Sequence, residues 1–373
     1  MKILCLFSET FSNGGIQKVN RYLLKALKAG PQHNDCVVIT LNDRSVPAIY
    51  STRPGIKFYC CGHRIRALKY LKFLVFLITN AASWRPSIIV ATHISLSPFC
   101  SLIKTVLSIR YVFFIHGIEG WNIKRKSFIL GIKNADKVVS VSSFTENKLL
   151  EQGVVNKTNS VVLNNPVDES VFKIKPVNKD LLERFALKDM RIILTVSRLS
   201  KQEEEKGAGR LMNVVNNIKK QIPNVRLLIA GNGDGINGLK TKAKMLELEK
   251  EIIFADFSFN EEILADIYNL CEVFILPSKK EGFGLVFTEA AACGKPVIGG
   301  NKDGSVDAIL NGKIGILVDP DNEEEIRAAI LSVLNRTCRK ELLSPDYLRQ
   351  QVVDNFSLSK YSEKLTALLS GIK

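Results

Sequence analysis

The chain has 373 residues, of which 46% are hydrophobic and 24% charged, and this balance excludes disorder over most of the length. One hydrophobic core rarely serves so long a chain, so two domains are expected. The net charge of +15 is unevenly spread: residues 1–165 hold 22 Lys and Arg against 7 Asp and Glu, whereas residues 166–373 hold 30 of each. The first half is therefore predicted either to face an anionic partner or to carry a merely soluble basic surface.

Cysteine and histidine usage narrows the class of protein further. The eight cysteines form no CxxC pair and several lie in apolar runs, which is typical of a reducing compartment. The four histidines lack metal-ligand spacing, so we expect no metal site. The start of the chain lacks the pattern of a signal peptide, and its longest apolar stretch, residues 73–78, is too short for a membrane span. A cytoplasmic protein is predicted.

Short β-branched and aromatic runs alternate with helical patterns along nearly the whole chain. Runs such as Val37-Val38-Ile39 and Phe274-Ile275-Leu276 are continuously apolar, which indicates strands buried on both faces of a parallel sheet. The alternation predicts an α/β protein with two Rossmann-like, doubly wound domains. The predicted strands are 2–7, 36–41, 56–60, 87–92, 110–115, 137–142, 160–163, 191–197, 226–230, 251–255, 273–277, 296–299 and 315–318.

The domain boundary is predicted within residues 164–190. Asn164-Asn165-Pro166 breaks regular structure, and a mixed charged stretch follows before the strand at Arg191. We accordingly predict a basic first domain over 1–168 and a second over 169–345. Residues 346–373 are predicted to form a helical segment that packs back on the first domain.

A glycine pair follows the first predicted strand. Gly14 and Gly15 lie directly before a helical pattern over 16–29. Glycine at a strand-to-helix turn lets a ligand approach the backbone, and the following helix N–H groups favour phosphate. This is neither the dinucleotide fingerprint nor a P-loop, and a plain tight turn is the alternative.

The largest group of candidate ligand-binding residues follows the predicted strand at 273–277. Glu281 precedes Gly282-Phe283-Gly284, and Glu289 stands about one turn into the next helical pattern. The glycines bring a helix N-terminus to the carboxyl edge of a sheet, where open α/β sheets bind ligands. Two carboxylates there could accept hydrogen bonds from the hydroxyls of two sugar rings. The alternative makes Glu289 a helix-dipole partner and Glu281 a solvated loop residue.

This spacing resembles the Glu-x7-Glu motif of retaining glycosyltransferases with the GT-B fold, group 1 (family 4). Other matches follow in the family's order over roughly residues 1–370. They are Gly14-Gly15, His116-Gly117, residues 142–145, Asn164-Asn165-Pro166-Val167-Asp168, Ser197-Arg198-Leu199, Lys206-Gly207 and Ala230-Gly231-Asn232-Gly233. The resemblance implies GT-B architecture, with two Rossmann-like domains facing a cleft. The first domain would serve the acceptor and the second a nucleotide sugar.

The resemblance also implies a role for each matched position. Arg198 and Lys206 would neutralise the donor diphosphate, which suits the guanidinium fork and the point charge of an ammonium. Glu289 would hold the ribose and Glu281 the donor sugar, and His116 would lie near the reacting sugar. Catalysis is thus assigned to Glu281, His116, Arg198 and Lys206. Donor binding is assigned to Gly14, Gly15, Arg198, Lys206, Glu281, Phe283, Gly284, Leu285 and Glu289.

Two departures from the family pattern leave alternatives open. An acidic run, Glu203-Glu204-Glu205, precedes Lys206, so Lys201 competes with it for the diphosphate. The later Gly-Gly-x-x-Glu element appears as Gly304-Ser305-Val306-Asp307, with a shorter carboxylate. As a lone histidine that ends an apolar strand, His116 could also be a packed polar residue.

The function implied is transfer of a hexose from a nucleotide-diphosphate sugar, with retention of configuration and without metal or cofactor. UDP is expected before GDP, and the acceptor is a glycan or a lipid-linked glycan. The alternatives are a catalytically silent nucleotide-sugar-binding subunit, or an epimerase or phosphorylase of the same fold.

The basic half adds an expectation about a further partner. Residues 63–74 interleave cations with apolar side chains, and Lys124-Arg125-Lys126 adds a second basic cluster. Both favour a peripheral position on the inner face of the membrane. The alternative is an ordinary helix that covers the sheet with snorkelling lysines. Nucleic acid is not expected as a partner, since no binding motif is present.

Overall fold

The computed structural model describes residues 1–29, 34–51, 55–256 and 260–372, without the side chains of residues 51 and 202–204. Up to residue 166 the elements are β1 (Lys2–Phe7), α1 (Gly15–Ala29), β2 (Asp35–Thr40), α2 (Ala48–Ser51), β3 (Ile56–Cys60), α3 (Arg66–Thr79), β4 (Ile88–Ala91), α4 (Ser97–Leu107), β5 (Tyr111–Ile115), α5 (Lys126–Lys133), β6 (Lys137–Ser140), α6 (Ser143–Glu151) and β7 (Ser160–Val162). The remainder comprises α7 (Lys179–Arg184), β8 (Arg191–Val196), α8 (Ala208–Ile218), β9 (Val225–Ala230), α9 (Ile236–Met245), β10 (Ile252–Ala255), α10 (Glu261–Leu270), β11 (Val273–Leu276), α11 (Leu285–Ala292), β12 (Val297–Gly300), α12 (Ser305–Ala308), β13 (Gly315–Val318), α13 (Glu323–Leu334), α14 (Pro345–Phe356) and α15 (Leu358–Ser370).

The chain divides into two compact units. The first unit comprises residues 1–166 and 358–373, and the second unit comprises residues 167–357. The first division falls two residues before the end that the sequence predicted for the first domain. The predicted strands are all present, and their ends lie within two residues of the predicted ones. The prediction of two Rossmann-like α/β domains is confirmed.

The first unit is built on a seven-stranded sheet in the order β3-β2-β1-β4-β5-β6-β7, in which all pairs are parallel. Its central strands β1, β4 and β5 are almost entirely apolar, as expected where helices cover both faces of a sheet. Helices α1 and α15 cover one face, where Leu23 and Leu365 pack with Ile3 and Val90. Helices α3, α4 and α5 cover the other. The strand order reverses between β1 and β4, and such switch points are where open α/β sheets bind ligands.

The second unit has a six-stranded parallel sheet in the order β10-β9-β8-β11-β12-β13. Helices α8 and α13 pack on one face, with Leu211 and Ile330 in its core. A chain of edge-on aromatic contacts (Phe172, Tyr268, Phe274 and Phe287) links α10 and α11 to β11. The switch point lies between β8 and β11, the two strands whose following loops carry the predicted donor residues.

The C-terminal segment 346–373, predicted as one helical piece, is divided between the two units. Helix α14 belongs to the second unit and α15 to the first. The helix breaks at Ser357, whose ψ of 153° is extended. The break follows from backbone pairing, since Val167 N–H donates to the Phe356 carbonyl at 2.8 Å and Val167 forms a parallel bridge with Ser357. Helix α15 packs on α1, where the Ser362 hydroxyl donates to the Ala26 carbonyl at 2.7 Å.

Candidate active site

The predicted donor loop of the second unit runs from β11 into α11 at the carboxyl edge of the sheet. Gly284, just before α11, has a φ of 92°, a left-handed conformation that favours glycine. Phe283 is buried, and its ring packs edge-on against Phe356 with 5.5 Å between centroids. No side chain of the described residues caps α11, so the N–H groups of its first turn, from Leu285 onwards, can bind an anion.

Two of the predicted catalytic residues meet at this loop. Lys206 Nζ lies 3.1 Å from Glu281 Oε1, and the two side chains are 23% and 14% exposed. Among the described residues Glu281 Oε1 has no aligned hydrogen-bond donor, so the contact is an ion pair rather than a hydrogen bond. Because both groups are largely shielded from water, each lowers the cost of keeping the other charged.

A buried aspartate holds the Glu281 loop in place. Asp303 accepts a hydrogen bond from the Glu281 N–H at 2.7 Å and another from the Ser305 N–H at 2.9 Å. The Gly304 N–H donates to the Glu281 carbonyl at 2.8 Å, and a Cβ on Gly304 would lie 2.1 Å from the Gly282 carbonyl oxygen. Burial, with the nearby Glu281 charge adding, raises the pKa of Asp303 to about 6, although its hydrogen bonds oppose the shift.

Glu289 is buried within α11 rather than solvated on its surface. It is 2% exposed, and the Tyr268 hydroxyl donates to its Oε2 at 2.9 Å. Burial raises the pKa of Tyr268 well above its usual range, and the Glu289 charge adds to the shift. Tyr268 therefore remains a hydrogen-bond donor that fixes the carboxylate one turn behind the amino end of the helix.

The loop after β8 carries the predicted phosphate cations. Arg198 is exposed at the end of the strand, and Lys201 is also exposed. Of the two competing lysines, Lys206 is the one beside Glu281, whereas the Lys201 N–H bonds to Asp234 Oδ1 at 3.0 Å. Glu205 turns its carboxylate to Lys280 at 2.6 Å; the side chains of Glu203 and Glu204 lie outside the described residues.

In the first unit, Gly14 and Gly15 lie at the amino end of α1, directly after β1. Both are exposed, and Gly15 begins the helix. Neither has a positive φ, and a Cβ on Gly15 would meet nothing within 4 Å. Backbone conformation therefore does not require this glycine pair, but the absence of side chains leaves the turn open to close approach by a ligand.

His116 follows β5 at the same edge of that sheet. Among the described residues neither ring nitrogen has a hydrogen-bond partner. Burial and the neighbouring His93 lower its pKa to about 3, while the Thr92 backbone opposes the shift. The ring is thus neutral at physiological pH, with one donor and one acceptor nitrogen for a ligand. The turn is fixed by Glu119, whose Oε1 accepts from the His116 N–H at 2.5 Å, and by Gly117, whose φ is 136°.

Two further residues at this edge were not predicted from the sequence. His93 follows β4 and Glu9 follows β1, the strands that flank the switch point. His93 interacts electrostatically with both His116 and Glu9, and burial lowers its pKa. The Glu9 carboxylate accepts hydrogen bonds from Ser12 at 2.5 Å and Gln17 at 3.0 Å, which tie it to the glycine turn. The available signal was a titratable residue two positions after the end of each of two neighbouring buried strands.

Two doubly wound parallel sheets in one chain, each with polar residues at its switch point, define a two-domain Rossmann-like protein of GT-B architecture. The family model "Glycosyl transferases group 1" matches residues 179–345, and "Glycosyltransferase Family 4" matches residues 13–171. The chain therefore carries a family 4 glycosyltransferase domain followed by a group 1 glycosyltransferase domain.

The chain is also similar, at low sequence identity, to individual glycosyltransferases. A GDP-mannose-dependent α-(1-6)-phosphatidylinositol monomannoside mannosyltransferase of Mycolicibacterium smegmatis is 29% identical over 196 residues, which is 51% of this chain and 50% of that protein. An uncharacterized glycosyltransferase of Methanocaldococcus jannaschii is 27% identical over 73% of this chain and 74% of its own length. The Anabaena protein HepE, solved in complex with UDP, superposes with a TM-score of 0.82 at 19% identity over 100% of both chains. The chain thus spans half the length of the mycobacterial relative.

Proposed function

We propose that this glycosyltransferase moves a hexose from a nucleotide-diphosphate sugar to a glycan or lipid-linked acceptor, with retention of configuration. The observation that carries the proposal is the Lys206–Glu281 ion pair in front of α11. A cation, a carboxylate and a helix amino end together match a phosphorylated sugar: positive groups for the diphosphate, an acceptor for its hydroxyls.

The donor would be gripped at three points in the second unit. Glu289, held by Tyr268, accepts hydrogen bonds from the ribose hydroxyls. Glu281 accepts from the hydroxyls of the hexose, and the amides of Phe283, Gly284 and Leu285 meet the diphosphate. Lys206 would exchange its contact with Glu281 for one with the diphosphate, which frees the carboxylate for sugar. This exchange keeps both buried charges paired throughout.

The reaction requires that the negative charge which develops on the leaving group be stabilised. When the bond between the anomeric carbon and the diphosphate oxygen breaks, its electron pair stays on the nucleoside diphosphate. Arg198 and Lys206 would stabilise that charge together with the α11 amides, an electrostatic contribution that needs no metal ion. The oxygen of the acceptor hydroxyl forms the new bond to the anomeric carbon, and its proton passes to the departing diphosphate oxygen. Retention is proposed from the family alone, since no carboxylate nucleophile is identifiable.

The first unit would serve the reacting sugar and the acceptor. The neutral ring of His116 can donate one hydrogen bond and accept another, so it suits a hydroxyl better than a phosphate. The names of relatives support the acceptor class, since the mycobacterial mannosyltransferase acts on a phosphatidylinositol mannoside. They leave the base open: that enzyme uses GDP-mannose, while HepE was solved with UDP. We propose UDP first and GDP second.

A panel of nucleotide sugars tested by thermal shift identifies the donor. A ligand at 100 times its Kd stabilises the folded state by about 2.7 kcal/mol, so the true donor raises the Tm. Glu289→Gln keeps an acceptor for Tyr268 but removes the charge, and it should weaken the response. Glu249→Gln, at an exposed glutamate of the same unit, is the matched control.

Turnover is then measured with the identified donor, and the anomeric configuration of the product is determined by NMR. Transfer that continues in EDTA with a retained anomer agrees with the proposal. Donor stabilisation without transfer to any glycan or lipid-linked acceptor would instead indicate a silent binding subunit. The donor assignment itself fails if no nucleotide sugar shifts the wild-type Tm.

A further inference from the structure

The helices α3, α4 and α5 of the first unit form one continuous layer, here called the three-helix face. Phe99 of α4 packs against Phe73 of α3 with 5.3 Å between ring centroids. Helices α4 and α5 touch at Ser97, whose hydroxyl donates to the Phe128 carbonyl at 3.1 Å. The inner sides of all three helices are buried against the same side of the sheet. Their outer sides form a single surface.

This outer surface carries large aliphatic side chains that face solvent. In α3, Leu68, Leu71, Val75 and Ile78 follow helical spacing along the outward side, and Leu71 is 57% exposed. Val106 of α4 is 67% exposed and Leu130 of α5 is 59% exposed. Within the described part of the chain, ten of the fifteen most exposed large hydrophobic side chains fall between Ile65 and Leu130. Scattered exposed apolar residues are ordinary, but this concentration marks an interaction surface.

The same face is almost free of negative charge. Residues 61–133 contain eleven Lys and Arg but one acidic residue, Glu119, which is largely buried at the His116 turn. The exposed side of α5 carries a cation, an apolar side chain and a second cation in turn, at Lys126, Leu130 and Lys133. The surface therefore combines apolar rows with cations around them, the composition of a helix that lies at a membrane interface.

The cations stand where helix stability alone would not place them. Arg64 and Arg66 lie at the amino end of α3, and Arg125 and Lys126 at that of α5. The amino end of a helix is the positive end of its dipole, so basic residues there are unfavourable and acidic ones are preferred. Neither helix has an acidic residue in its first turn. An external anion would remove this electrostatic conflict.

We propose that the three-helix face docks on a bilayer that contains anionic phospholipid. The apolar rows of α3, α4 and α5 enter the interfacial region, and the cations at the amino ends of α3 and α5 meet lipid phosphates. A second copy of the chain fits this face poorly, because it would bring the cations of α3 and α5 against the same cations of its partner. Nucleic acid would account for the cations but not for the aliphatic rows.

Docking in this orientation has a consequence for the acceptor, and this step rests on the proposed function. In a parallel α/β sheet the helix after each strand begins at the carboxyl edge, so Arg64 and Arg125 lie at the edge that carries His93 and His116. The bilayer surface would then meet the protein beside that edge. A sugar carried on a lipid phosphate would reach the candidate site without leaving the membrane.

Flotation with lipid vesicles tests the docking directly. The probes are vesicles of phosphatidylcholine with and without phosphatidylglycerol, mixed with the full chain. A charge variant replaces Arg64, Lys72, Arg125 and Lys126 by Gln, and an apolar variant carries Leu71→Gln, Val75→Gln and Val106→Gln. All seven residues are exposed, so both variants should fold. The matched control removes four exposed lysines of the second unit: Lys220, Lys244, Lys250 and Lys313, each to Gln.

The wild type and the control are expected to float with phosphatidylglycerol vesicles and not with phosphatidylcholine alone. The charge variant should lose roughly 100-fold or more in partitioning, since each cation near an anionic surface contributes several-fold. The apolar variant should lose at least about tenfold, and its remaining binding should disappear in salt on the order of 1 M, where screening removes the ionic part.

Failure of the wild type to float, or equal binding by the wild type and both variants, would overturn the docking proposal. So would tight binding to a nucleic acid that the apolar substitutions leave unchanged. Donor-induced thermal shift, measured on every variant, reports on the second unit and should stay constant. Vesicle binding without any donor response would therefore contradict the proposed function while leaving the docking surface intact.

Discussion

At the carboxyl edge of the second unit's sheet, charged groups are already matched within the protein: Lys206 with Glu281, and Asp303 with two backbone amides. At the same edge of the first unit stand two histidines whose pKa values are lowered by burial, beside an open glycine turn. Many of the first unit's cations lie instead on helices α3, α4 and α5, which cover one face of the sheet. Under the proposed function, one topology would serve two kinds of recognition: charge pairing for a phosphorylated ligand, and neutral hydrogen bonding for hydroxyls.

The largest effect on this difference between the units is expected from removal of the Lys206 cation in the second unit. Lys206→Ala should lower kcat/KM by roughly 10²–10³-fold, the cost of losing one preorganised group that stabilises transition-state charge. It also leaves the Glu281 carboxylate without its ionic partner. Lys201→Ala is the matched control and should change kcat/KM by less than about tenfold, since Lys201 is exposed and Lys206 is the lysine paired with Glu281. A reversed order of the two effects would assign the diphosphate to Lys201. Steady-state kinetics with the identified donor decides.

On the first unit, His116→Leu should lower kcat by about 10²-fold, because a positioned hydrogen-bonding or proton-transfer group is lost. The stability of the fold should increase, although the activity falls. Two buried ring nitrogens without partners each carry a desolvation cost, so an apolar side chain should raise the free energy of unfolding by about 1 kcal/mol. Chemical denaturation measures that change, and His63→Leu, at a histidine that is only half-buried, is the control. A destabilised but active variant would mark His116 as a packed polar residue.

Asp303 offers a test by pH. Its folded pKa of about 6 lies above the usual range, so the native state binds a proton that the unfolded state releases. Its contribution therefore favours folding at low pH and is lost as the pH rises through 6. Donor binding should follow the opposite course, because protonation removes an acceptor for the Glu281 N–H and loosens the loop. We expect donor Kd to rise several-fold below pH 6.

The control for this pH effect is Asp303→Asn, which cannot titrate. Its donor Kd should be higher than that of the wild type at pH 7.5 and nearly constant between pH 5 and about 7.5. Isothermal titration across that range compares the two proteins. The same pH dependence in both would show that another group controls the loop.

The smallest effect is expected at the support of Glu289. Tyr268→Phe removes one hydrogen bond to Oε2 and leaves the ring in place, so the free energy of unfolding should fall by about 1 kcal/mol. Donor affinity should weaken only a few-fold, because the carboxylate remains. Tyr361→Phe, at a tyrosine fully buried in the first unit, is the matched control for stability. Unchanged donor affinity would mean that Glu289 needs no support from α10.

The fold could be predicted because its signals are local. Buried parallel strands such as residues 273–276 are apolar on both faces, and their runs stand out from the helical patterns between them. The break at Ser357 could not be predicted, because it depends on pairing with Val167 nearly two hundred residues earlier. Local helical periodicity continues on both sides of that break.

The residues of the candidate site likewise fall into those that the sequence could predict and those that it could not. Residues in contiguous motifs, such as Glu281 and Glu289, could be found from spacing alone. Asp303, His93 and Glu9 acquire meaning only when strand order brings separate loops together. Likewise, only the folded loop shows that Lys206, rather than Lys201, lies beside Glu281. Sequence spacing cannot supply that information.

The return of α15 to the first unit makes the second unit, by chain order, an insertion within the first. The ribosome completes residues 167–357 before it makes the helix whose Tyr361, Leu365 and Leu369 close the core around Val38 and Val90. A nascent chain therefore carries a first unit with an uncovered apolar face until the last residues emerge. Translation order thus favours maturation of the inserted unit first.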